Sequence, residues 1–156
     1  MRILRASVEH LPLVTSLFDA YRVFYEQASD KIGAQKFLKE RIQANESVIF
    51  LAMLDNEAVG FTQLYTTFSS VSMESFYILN DLFVVPSRRG KGIGQALLQS
   101  AKEQCKTMNF KGLALETAKA NPAQRLYEKL GWKKDLEHLH YFWICLLYTS
   151  PSPRDS

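Results

Sequence analysis

A glycine-rich segment between a β-prone run and a helix-forming run most constrains what this 156-residue chain can fold into. The apolar run before it closes at Pro86, and residues 95–102 after it combine helix formers with helical spacing. This order predicts a strand, a tight turn and a helix. The backbone N–H groups and positive dipole end of that helix, beside three basic side chains, favour a phosphate group. The sequence therefore predicts a phosphate-bearing ligand at this turn, which reads Arg88-Arg89-Gly90-Lys91-Gly92-Ile93-Gly94.

The glycine spacing distinguishes this turn from two common phosphate loops. A nucleoside-triphosphate loop carries a hydroxyl residue directly after Gly-Lys, but Gly90-Lys91 is followed by Gly92. A dinucleotide loop has the pattern G-x-G-x-x-G, whereas Gly90, Gly92 and Gly94 give G-x-G-x-G. The pattern Arg-x-x-Gly-x-Gly, made by Arg89, Gly92 and Gly94, resembles the pyrophosphate loop of the GNAT superfamily of acyl-CoA N-acyltransferases.

A second segment extends the resemblance. Residues 113–118 are typical of a strand, and Asn121 and Gly131 are suited to cap the two ends of a helix that follows. GNAT enzymes commonly carry an asparagine, a short helix with an alanine and a Leu-Tyr pair, and then glycine and an aromatic residue. Over residues 3–143 the likeness is loose, and over residues 80–132 it is strong. The matching residues are Asn121, Ala123, Leu126, Tyr127, Gly131 and Trp132.

Composition is typical of one globular domain, which we expect over residues 1–147. Apolar residues make up 47% of the chain and charged residues 22%. The last residues, 148–156, are polar, contain proline and lack periodicity, so we expect a tail that is disordered or vector-derived. The net charge of +3 suits an anionic cofactor and falls short of a nucleic-acid-binding signature.

Several classes of protein are disfavoured by the sequence. The N-terminal residues are too few and too charged for a signal peptide, and no stretch approaches a membrane span. Cys105 and Cys145 have no metal-ligand spacing, which suggests a reducing compartment. His138 and His140 share one strand face without a third ligand nearby, so we interpret them as ordinary strand residues. We therefore expect a cytoplasmic protein without a metal, a membrane partner or a nucleic-acid partner.

Hydrophobic periodicity predicts the order strand, two helices, three strands, helix, strand, helix and strand. The resemblance implies an α/β (α+β) fold class. The fold of this family has a mixed, mostly antiparallel central sheet flanked by about four helices, with a splay between the fourth and fifth strands. The predicted strands cover residues 2–5, 47–54, 58–67, a run ending at 85, 113–118 and 139–146. The predicted helices follow Ser7, Ala34, Gly94 and Asn121.

The resemblance implies acetyl-CoA as co-substrate and assigns residues to hold it. The glycine loop would bind the pyrophosphate. A bulge or splay in the fourth strand would free backbone groups for the pantetheine and one N–H for the oxyanion. The cofactor-binding residues that we expect are Leu82, Phe83, Val84, Arg89, Gly90, Lys91, Gly92, Ile93, Gly94, Gln95, Asn121 and Tyr127.

Tyr127 is the general acid that the resemblance implies, because a phenol can protonate a thiolate of similar basicity. The base is open. Some relatives, including spermidine/spermine acetyltransferases, carry a glutamate where this chain has Asn80, which cannot accept a proton usefully. Glu116 on the next strand and a water-relayed base are alternatives. Asp81 points away from Asn80 if the strand is regular. The acceptor-lining residues that we expect are Tyr25, Glu26, Tyr65 and Asp81.

The sequence thus predicts an N-acetyltransferase that moves the acetyl group of acetyl-CoA to a small primary amine by direct attack in a ternary complex. A polyamine, an amino acid or an amino sugar would serve as the acceptor, and weak features resemble polyamine and histone-type small acetyltransferases. One alternative is a protein lysine acetyltransferase. Another is a CoA-binding sensor without turnover, which Asn80 in place of a base keeps open. The resemblance also implies a homodimer.

Overall fold

Five strands form one sheet in the order β1-β2-β3-β4-β5 in the computed structural model, which describes residues 1–146. Neighbouring strands are antiparallel except β4 and β5, which are parallel. The mixed, mostly antiparallel sheet and its four helices confirm the expected fold class. The elements are β1 (Arg2–Arg5), α1 (Leu11–Phe24), α2 (Lys31–Gln43), β2 (Ser47–Leu54), β3 (Glu57–Ser69), β4 (Glu74–Val84), α3 (Ile93–Thr107), β5 (Leu113–Ala114) and α4 (Gln124–Lys129).

The chain divides into two compact units, Met1–Leu115 and the residues from Glu116 onward. The first unit contains the sheet and helices α1 to α3, and the second contains α4. The expectation of a single domain over residues 1–147 stays a prediction, and the tail at 148–156 lies outside the described residues. No helix in the described part of the chain is both long and apolar enough to cross a membrane.

Adjacent residues of β3 show that α1 and α3 cover opposite faces of the sheet. Phe61 is fully buried, and its ring lies 6.2 Å from the Phe18 ring of α1. A Cβ atom on the preceding residue, Gly60, would instead contact Leu97 and Ile93 of α3. Because successive strand residues point to opposite faces, the sheet separates the two helices. The core on the α1 face consists of Ala6, Leu11, Val14, Leu17, Phe18, Ala34, Leu38, Ile49, Leu51, Phe61 and Phe83.

Local turn chemistry explains why the hairpin between β2 and β3 forms where the sequence predicts it. Asp55 and Asn56 have φ values of +51° and +64°, a conformation that aspartate and asparagine tolerate better than most residues. Two consecutive residues with positive φ match the twist of the flanking strands. The register then runs from Leu54 opposite Glu57 to Ser47 opposite Tyr65.

Two predicted elements differ from the structure. Residues 139–146 were predicted as a strand, but none of them lies in a strand, and most of their apolar side chains are exposed. An apolar run identifies a segment that can pair, whereas a strand also needs a partner edge, which the local pattern does not contain. The strand predicted over 113–118 is shorter for the same reason, and only Leu113–Ala114 pair with β4.

The splay predicted between the fourth and fifth strands is present. β5 pairs only with Tyr77 and Ile78, although β4 continues to Val84. Along the β5 side, residues 79–84 therefore have no strand partner among the described residues. Their backbone groups can serve a ligand instead of a neighbouring strand.

Candidate active site

The glycine loop presents free backbone donors at the start of α3. Gly90 and Gly92 both have φ of +79°, and Gly92 is the N-cap of the helix. A Cβ atom at either glycine would meet nothing within 4 Å, so the backbone conformation and not a lack of space requires glycine. Within the described chain, no hydrogen bond occupies the backbone N–H groups of residues 90–95. The loop therefore has the donors and the helix dipole that bind a phosphate group.

Arg89 extends from this loop onto the α1 face of the sheet. Its Nε donates to the Val84 carbonyl oxygen at 2.9 Å. Its guanidinium carbon lies 5.1 Å from the centroid of the Phe24 ring and 5.7 Å from that of Phe83. This contact is a cation–π interaction with the last residue of α1. Arg88 is engaged elsewhere, because its guanidinium lies 3.5 Å from the Glu57 carboxylate.

Gly60 is a site residue that sequence reasoning missed. A Cβ atom there would lie 2.9 Å from the Phe83 carbonyl oxygen, 3.3 Å from Leu97 and 3.4 Å from Ile93. Because Ile93 is the first residue of α3, Gly60 lets the beginning of that helix approach the end of β4 closely. An isolated glycine inside a strand pattern was the available signal, since it often marks a close approach of backbone.

A β-bulge interrupts β4 at Asn80. Gln63 of β3 pairs with Asp81, and the next residue, Leu64, pairs with Leu79, so Asn80 has no partner in the ladder. The resemblance implied a bulge or splay in the fourth strand, next to the residues expected to bind the cofactor. The extra residue lies just before them, at Asn80. A bulge bends its strand and changes where the neighbouring side chains point.

The bulge reverses which face of the sheet each half of β4 supplies. The Tyr77 hydroxyl accepts a hydrogen bond from Gln104 of α3 at 3.2 Å. The Phe83 ring packs 6.0 Å from Tyr21 of α1, on the other face. Tyr77 and Phe83 are six positions apart in the sequence, and a regular strand would place both on one face. The expectation that Asn80 and Asp81 point apart depended on such a regular strand, and the two side chains are in contact.

Asp81 is a carboxylate buried at the centre of a hydrogen-bond cluster. It is 2% exposed, and its two oxygens accept from Asn80 Nδ2 at 2.9 Å and from Gln63 Nε2 at 2.5 Å. The Asp81 carbonyl oxygen accepts from the Thr62 hydroxyl at 2.8 Å. Because amide nitrogens only donate, both side-chain bonds suit an ionised carboxylate. The cluster places a negative charge on the α1 face.

Tyr21 of α1 belongs to the same cluster, although it was not among the residues expected to line the acceptor site. Burial raises its pKa far above the ordinary value, and the negative charge of Asp81, the neighbouring phenol Tyr25, a hydrogen bond to Asp81 and the phenol Tyr65 raise it further. The phenol is therefore neutral and donates to the Asp81 carboxylate. The expected acceptor residues Tyr25, Tyr65 and Asp81 are thus brought together around Tyr21.

Two acceptor atoms beside Asp81 have no donor in the described chain. They are Asn80 Oδ1 and Gln63 Oε1, and both are buried. Each belongs to an amide whose nitrogen already donates to Asp81. Buried polar atoms are rarely left unpaired, and exceptions often mark functional sites. The two oxygens and the carboxylate make this cluster rich in acceptors, which suits a ligand that donates hydrogen bonds.

The loop between α1 and α2 is fixed by Asp19. This buried carboxylate accepts from the Ser29 hydroxyl at 2.7 Å and from the Asp30 backbone N–H at 2.8 Å. These bonds, led by that from Ser29, hold the pKa of Asp19 below its ordinary value. Asp30 in turn caps α2 by accepting from the Gly33 N–H at 2.9 Å. Glu26, an expected acceptor residue, is exposed in this loop with φ of +64°.

The second unit contains the predicted general acid. Tyr127 is buried in α4, its ring lies 5.9 Å from that of Trp132, and its carbonyl oxygen accepts from the Trp132 N–H at 3.0 Å. Asn121 was expected to cap this helix, and its Oδ1 accepts from the Ala123 N–H at 2.9 Å before the helix begins at Gln124. The role of Tyr127 near the cofactor sulfur stays a prediction.

The remaining candidates of the second unit form ion pairs. Glu116 Oε1 lies 3.3 Å from His140 Nδ1, and His138 Nδ1 lies 2.8 Å from Asp135 Oδ2. Among residues 1–146, no three His, Cys, Asp or Glu side chains are grouped so that they could hold a metal ion. Cys105 and Cys145 are both free thiols. The contact with His140 occupies one oxygen of the Glu116 carboxylate.

The first unit therefore gathers most of the predicted site. The glycine loop follows the end of β4, which carries half-buried Leu82, buried Phe83 and half-buried Val84. Arg89 connects this loop to the end of α1. Asp81 with the three tyrosines lies on the same face of the sheet. The predicted roles of Asn121, Tyr127 and Glu116 concern the second unit and stay predictions.

Known proteins resemble this chain over most of its length. The profile of the Acetyltransferase (GNAT) family matches residues 14–132. An uncharacterized N-acetyltransferase of Bacillus subtilis, YhfO, is 49% identical over 142 residues, which cover 90% of this chain and 95% of that protein. The crystal structure of a probable acetyltransferase has a TM-score of 0.89 at 38% identity and covers 95% of this chain and 100% of its own.

A more distant structure has the same fold. It is an aminoglycoside acetyltransferase from an uncultured soil metagenomic sample, in complex with trehalose. Its TM-score is 0.81 at 20% identity, over 93% of this chain and 96% of that chain.

Proposed function

The chain belongs to the acetyltransferase (GNAT) family of acetyl-CoA-dependent N-acetyltransferases, and from this premise we propose that it acetylates a primary amine of a small molecule by direct attack in a ternary complex. The observation that carries the proposal is the pairing, in one unit, of a phosphate-binding loop with an acceptor-rich cluster around Asp81. The first holds the cofactor and the second holds the amine. The aminoglycoside acetyltransferase of the same fold is named for a small-molecule acceptor.

The glycine loop binds the pyrophosphate of acetyl-CoA. Six N–H groups, from Gly90 to Gln95, donate no hydrogen bond within residues 1–146. They lie at the positive end of the α3 dipole, and exposed Lys91 adds a charge. The unpaired edge of β4 from Leu82 to Val84 binds the pantetheine, and one N–H of this edge polarises the thioester carbonyl. Asn121 lines the opening beside the cofactor.

Asp81 and Tyr21 remove the proton from the acceptor. A primary amine arrives mostly as an ammonium ion because its pKa is near 10. The Tyr21 oxygen accepts a proton from that ion while its own O–H proton passes to Asp81, which is too deeply buried to reach the amine. This relay replaces direct removal by Glu116, or by the glutamate that some relatives carry where this chain has Asn80. Asn80 Oδ1 accepts from the ammonium and orients it.

The chemical step then exchanges one bond for another. The neutral nitrogen attacks the thioester carbonyl carbon, and a tetrahedral oxyanion forms. Its collapse breaks the C–S bond, and the departing thiolate takes a proton from Tyr127. The nitrogen loses one proton to solvent as the amide forms, and the Tyr127 phenolate regains one from solvent. The products are an amide and free CoA.

Thiol release from acetyl-CoA tests the proposal with a panel of diamines, amino acids, amino sugars and lysine peptides. Release that depends on one class of small amine supports the proposed function. Release with lysine peptides alone would assign the enzyme to protein acetylation. Tight acetyl-CoA binding without thiol release in the presence of any of these amines would contradict the proposal that the enzyme acetylates them. Tyr127→Phe should lower turnover with little effect on acetyl-CoA binding, because it removes the hydroxyl group and keeps the ring.

A further inference from the structure

Four aromatic rings form a closed group on the α1 face, at the end of β4. The neighbouring ring centroids are 5.1 Å apart for Tyr21 and Tyr25, 5.3 Å for Phe24 and Tyr25, 6.2 Å for Phe24 and Phe83, and 6.0 Å for Tyr21 and Phe83. We call these four residues the aromatic quartet. Phe24 is 54% exposed, so the quartet reaches the surface.

Opposite charges lie at two ends of the quartet. Tyr21 donates to the Asp81 carboxylate, while the Arg89 guanidinium lies over Phe24 and Phe83. Asp81 and Phe83 are two residues apart beyond the bulge, which places their side chains on one face about 7 Å apart along the strand. A molecule lying along the quartet would therefore meet a negative group at one end and a positive group at the other.

Arg89 retains most of its capacity to bind an anion. A guanidinium has five N–H donors, and Arg89 uses only Nε, in its bond to Val84. Within residues 1–146 its two terminal nitrogens form no hydrogen bond and no ion pair. The neighbouring Arg88 differs, because Glu57 lies 3.5 Å from its guanidinium. Arg89 is also exposed, and its planar terminal nitrogens match the geometry of a carboxylate.

We propose that Arg89 binds a carboxylate of the acceptor, so that the enzyme prefers a primary amine that carries a carboxylate at its far end. This proposal rests on the proposed function and names its substrate class. The ammonium lies at the Asp81 end and the carboxylate at the Arg89 end of the quartet. A polyamine of similar length would bring a second ammonium against the guanidinium, and this like-charge contact disfavours it.

Three six-carbon amines test the proposal because they differ only in the distal group. They are 6-aminohexanoate, 1-aminohexane and hexane-1,6-diamine, with a negative, an apolar and a positive end. We expect thiol release with the highest kcat/KM for 6-aminohexanoate and the lowest for the diamine. Arg89→Gln should reduce the preference for 6-aminohexanoate over 1-aminohexane about tenfold, the usual effect of losing a charged hydrogen bond. Arg89→Lys should restore part of it.

Arg88→Gln is the matched control, since it removes the same charge from the neighbouring residue. The guanidinium of Arg88 is already paired with Glu57. It should leave the preference unchanged. Phe24→Leu, which keeps Arg89 but removes the ring beneath it, should weaken the preference in part. A thermal melt of each variant confirms that it folds.

Three results would overturn the proposal. They are a wild-type preference for the diamine, an equal loss of preference in Arg88→Gln, and an Arg89→Gln variant that changes only the KM for acetyl-CoA. Calorimetric binding of the same amines to the CoA complex separates this proposal from the proposed function. Arg89-dependent binding of 6-aminohexanoate without thiol release would support the anion site and contradict the transfer reaction.

Discussion

Tyr21 couples helix α1 to the carboxylate that the proposed reaction requires. Its phenol stays neutral because burial and the charge of Asp81 raise its pKa. A neutral phenol can accept a proton from the amine and donate one to Asp81 at the same time, which a phenolate could not. The residue therefore controls both the position of the acceptor and the path of its proton.

Tyr21→Phe tests this role because it removes one hydroxyl and keeps the ring. We expect kcat to fall about 100-fold, the usual effect of losing a general acid or base. The free energy of unfolding should fall by only about 1 kcal/mol, the value of one hydrogen bond. Steady-state thiol release and urea unfolding measure the two effects. Tyr141→Phe, at an exposed phenol, is the control. A Tyr21→Phe variant with wild-type kcat would remove Tyr21 from the proton path.

Asp19 makes the stability of the loop between α1 and α2 depend on pH. Its pKa in the folded protein lies below the ordinary value of 3.8, so the folded state binds its proton less readily than the unfolded state. Its contribution to stability is therefore present above that ordinary value and is lost as the pH falls through the folded-state pKa. Asp19→Asn should lower the Tm at pH 7, and the difference from wild type should shrink below pH 4.

Thermal melts between pH 7 and pH 2.5 measure this difference. Asp30→Asn provides a comparison, because its N-cap bond to Gly33 is one that asparagine can also make. A wild-type advantage over Asp19→Asn that stays constant down to pH 2.5 would contradict the assigned role of the Asp19 charge.

At the scale of elements, the position of the glycine loop depends on how closely β3, β4 and the first turn of α3 approach one another. Gly60→Ala should push these elements apart, since the new Cβ would lie 2.9 Å from the Phe83 carbonyl oxygen. We expect a loss of about 2 kcal/mol in the free energy of unfolding, typical of overpacking, and a higher Kd for acetyl-CoA. Calorimetry and urea unfolding measure both quantities.

Gly92→Ala should act through backbone conformation alone. A Cβ atom at Gly92 meets nothing, yet its φ of +79° strains any L side chain. The expected cost is about 1 kcal/mol of stability, with weaker acetyl-CoA binding because the free N–H groups change direction. Gly112→Ala is the control for both glycine variants, since Gly112 has open space and no positive φ. An unchanged Kd in Gly92→Ala would exclude the loop from cofactor binding.

The elements were predictable where their signals are local. The turn residues at Asp55 and Asn56 and the apolar periodicity of α1 and α3 indicated their elements correctly. The resemblance implied a bulge or splay in the fourth strand, but the sequence pattern did not place it at Asn80, because one extra residue leaves the composition of a strand unchanged and alters only its pairing with β3. For the same reason the sequence could name Asp81 but could not place it beside Tyr21. Gln63 carried no signal at all, since a buried glutamine is recognised only by its partners.

At the scale of the whole molecule, the two units differ in how much regular structure they contain. The first is built around five hydrogen-bonded strands, whereas the second has one six-residue helix between Glu116 and residue 146, and residues 133–146 are exposed. We expect trypsin to cleave first at Lys133 or Lys134, because exposed irregular backbone is cut before hydrogen-bonded elements. Mass spectrometry of the early fragments measures this. A first cut within residues 1–115 would contradict it.

The bulge at Asn80 means that β4 contains one residue more than its pairing with β3 uses. Because Gln63 pairs with Asp81 and Leu64 with Leu79, the strand on either side of the extra residue stays in step with β3. Deleting Asn80 would join Leu79 directly to Asp81, and regular alternation would still point Asp81 and Phe83 toward α1. The deletion would remove the amide that donates to Asp81 and whose oxygen has no donor in the described chain. In evolutionary terms, a strand without residue 80 would keep the carboxylate and the ring and would lack only the amide beside them.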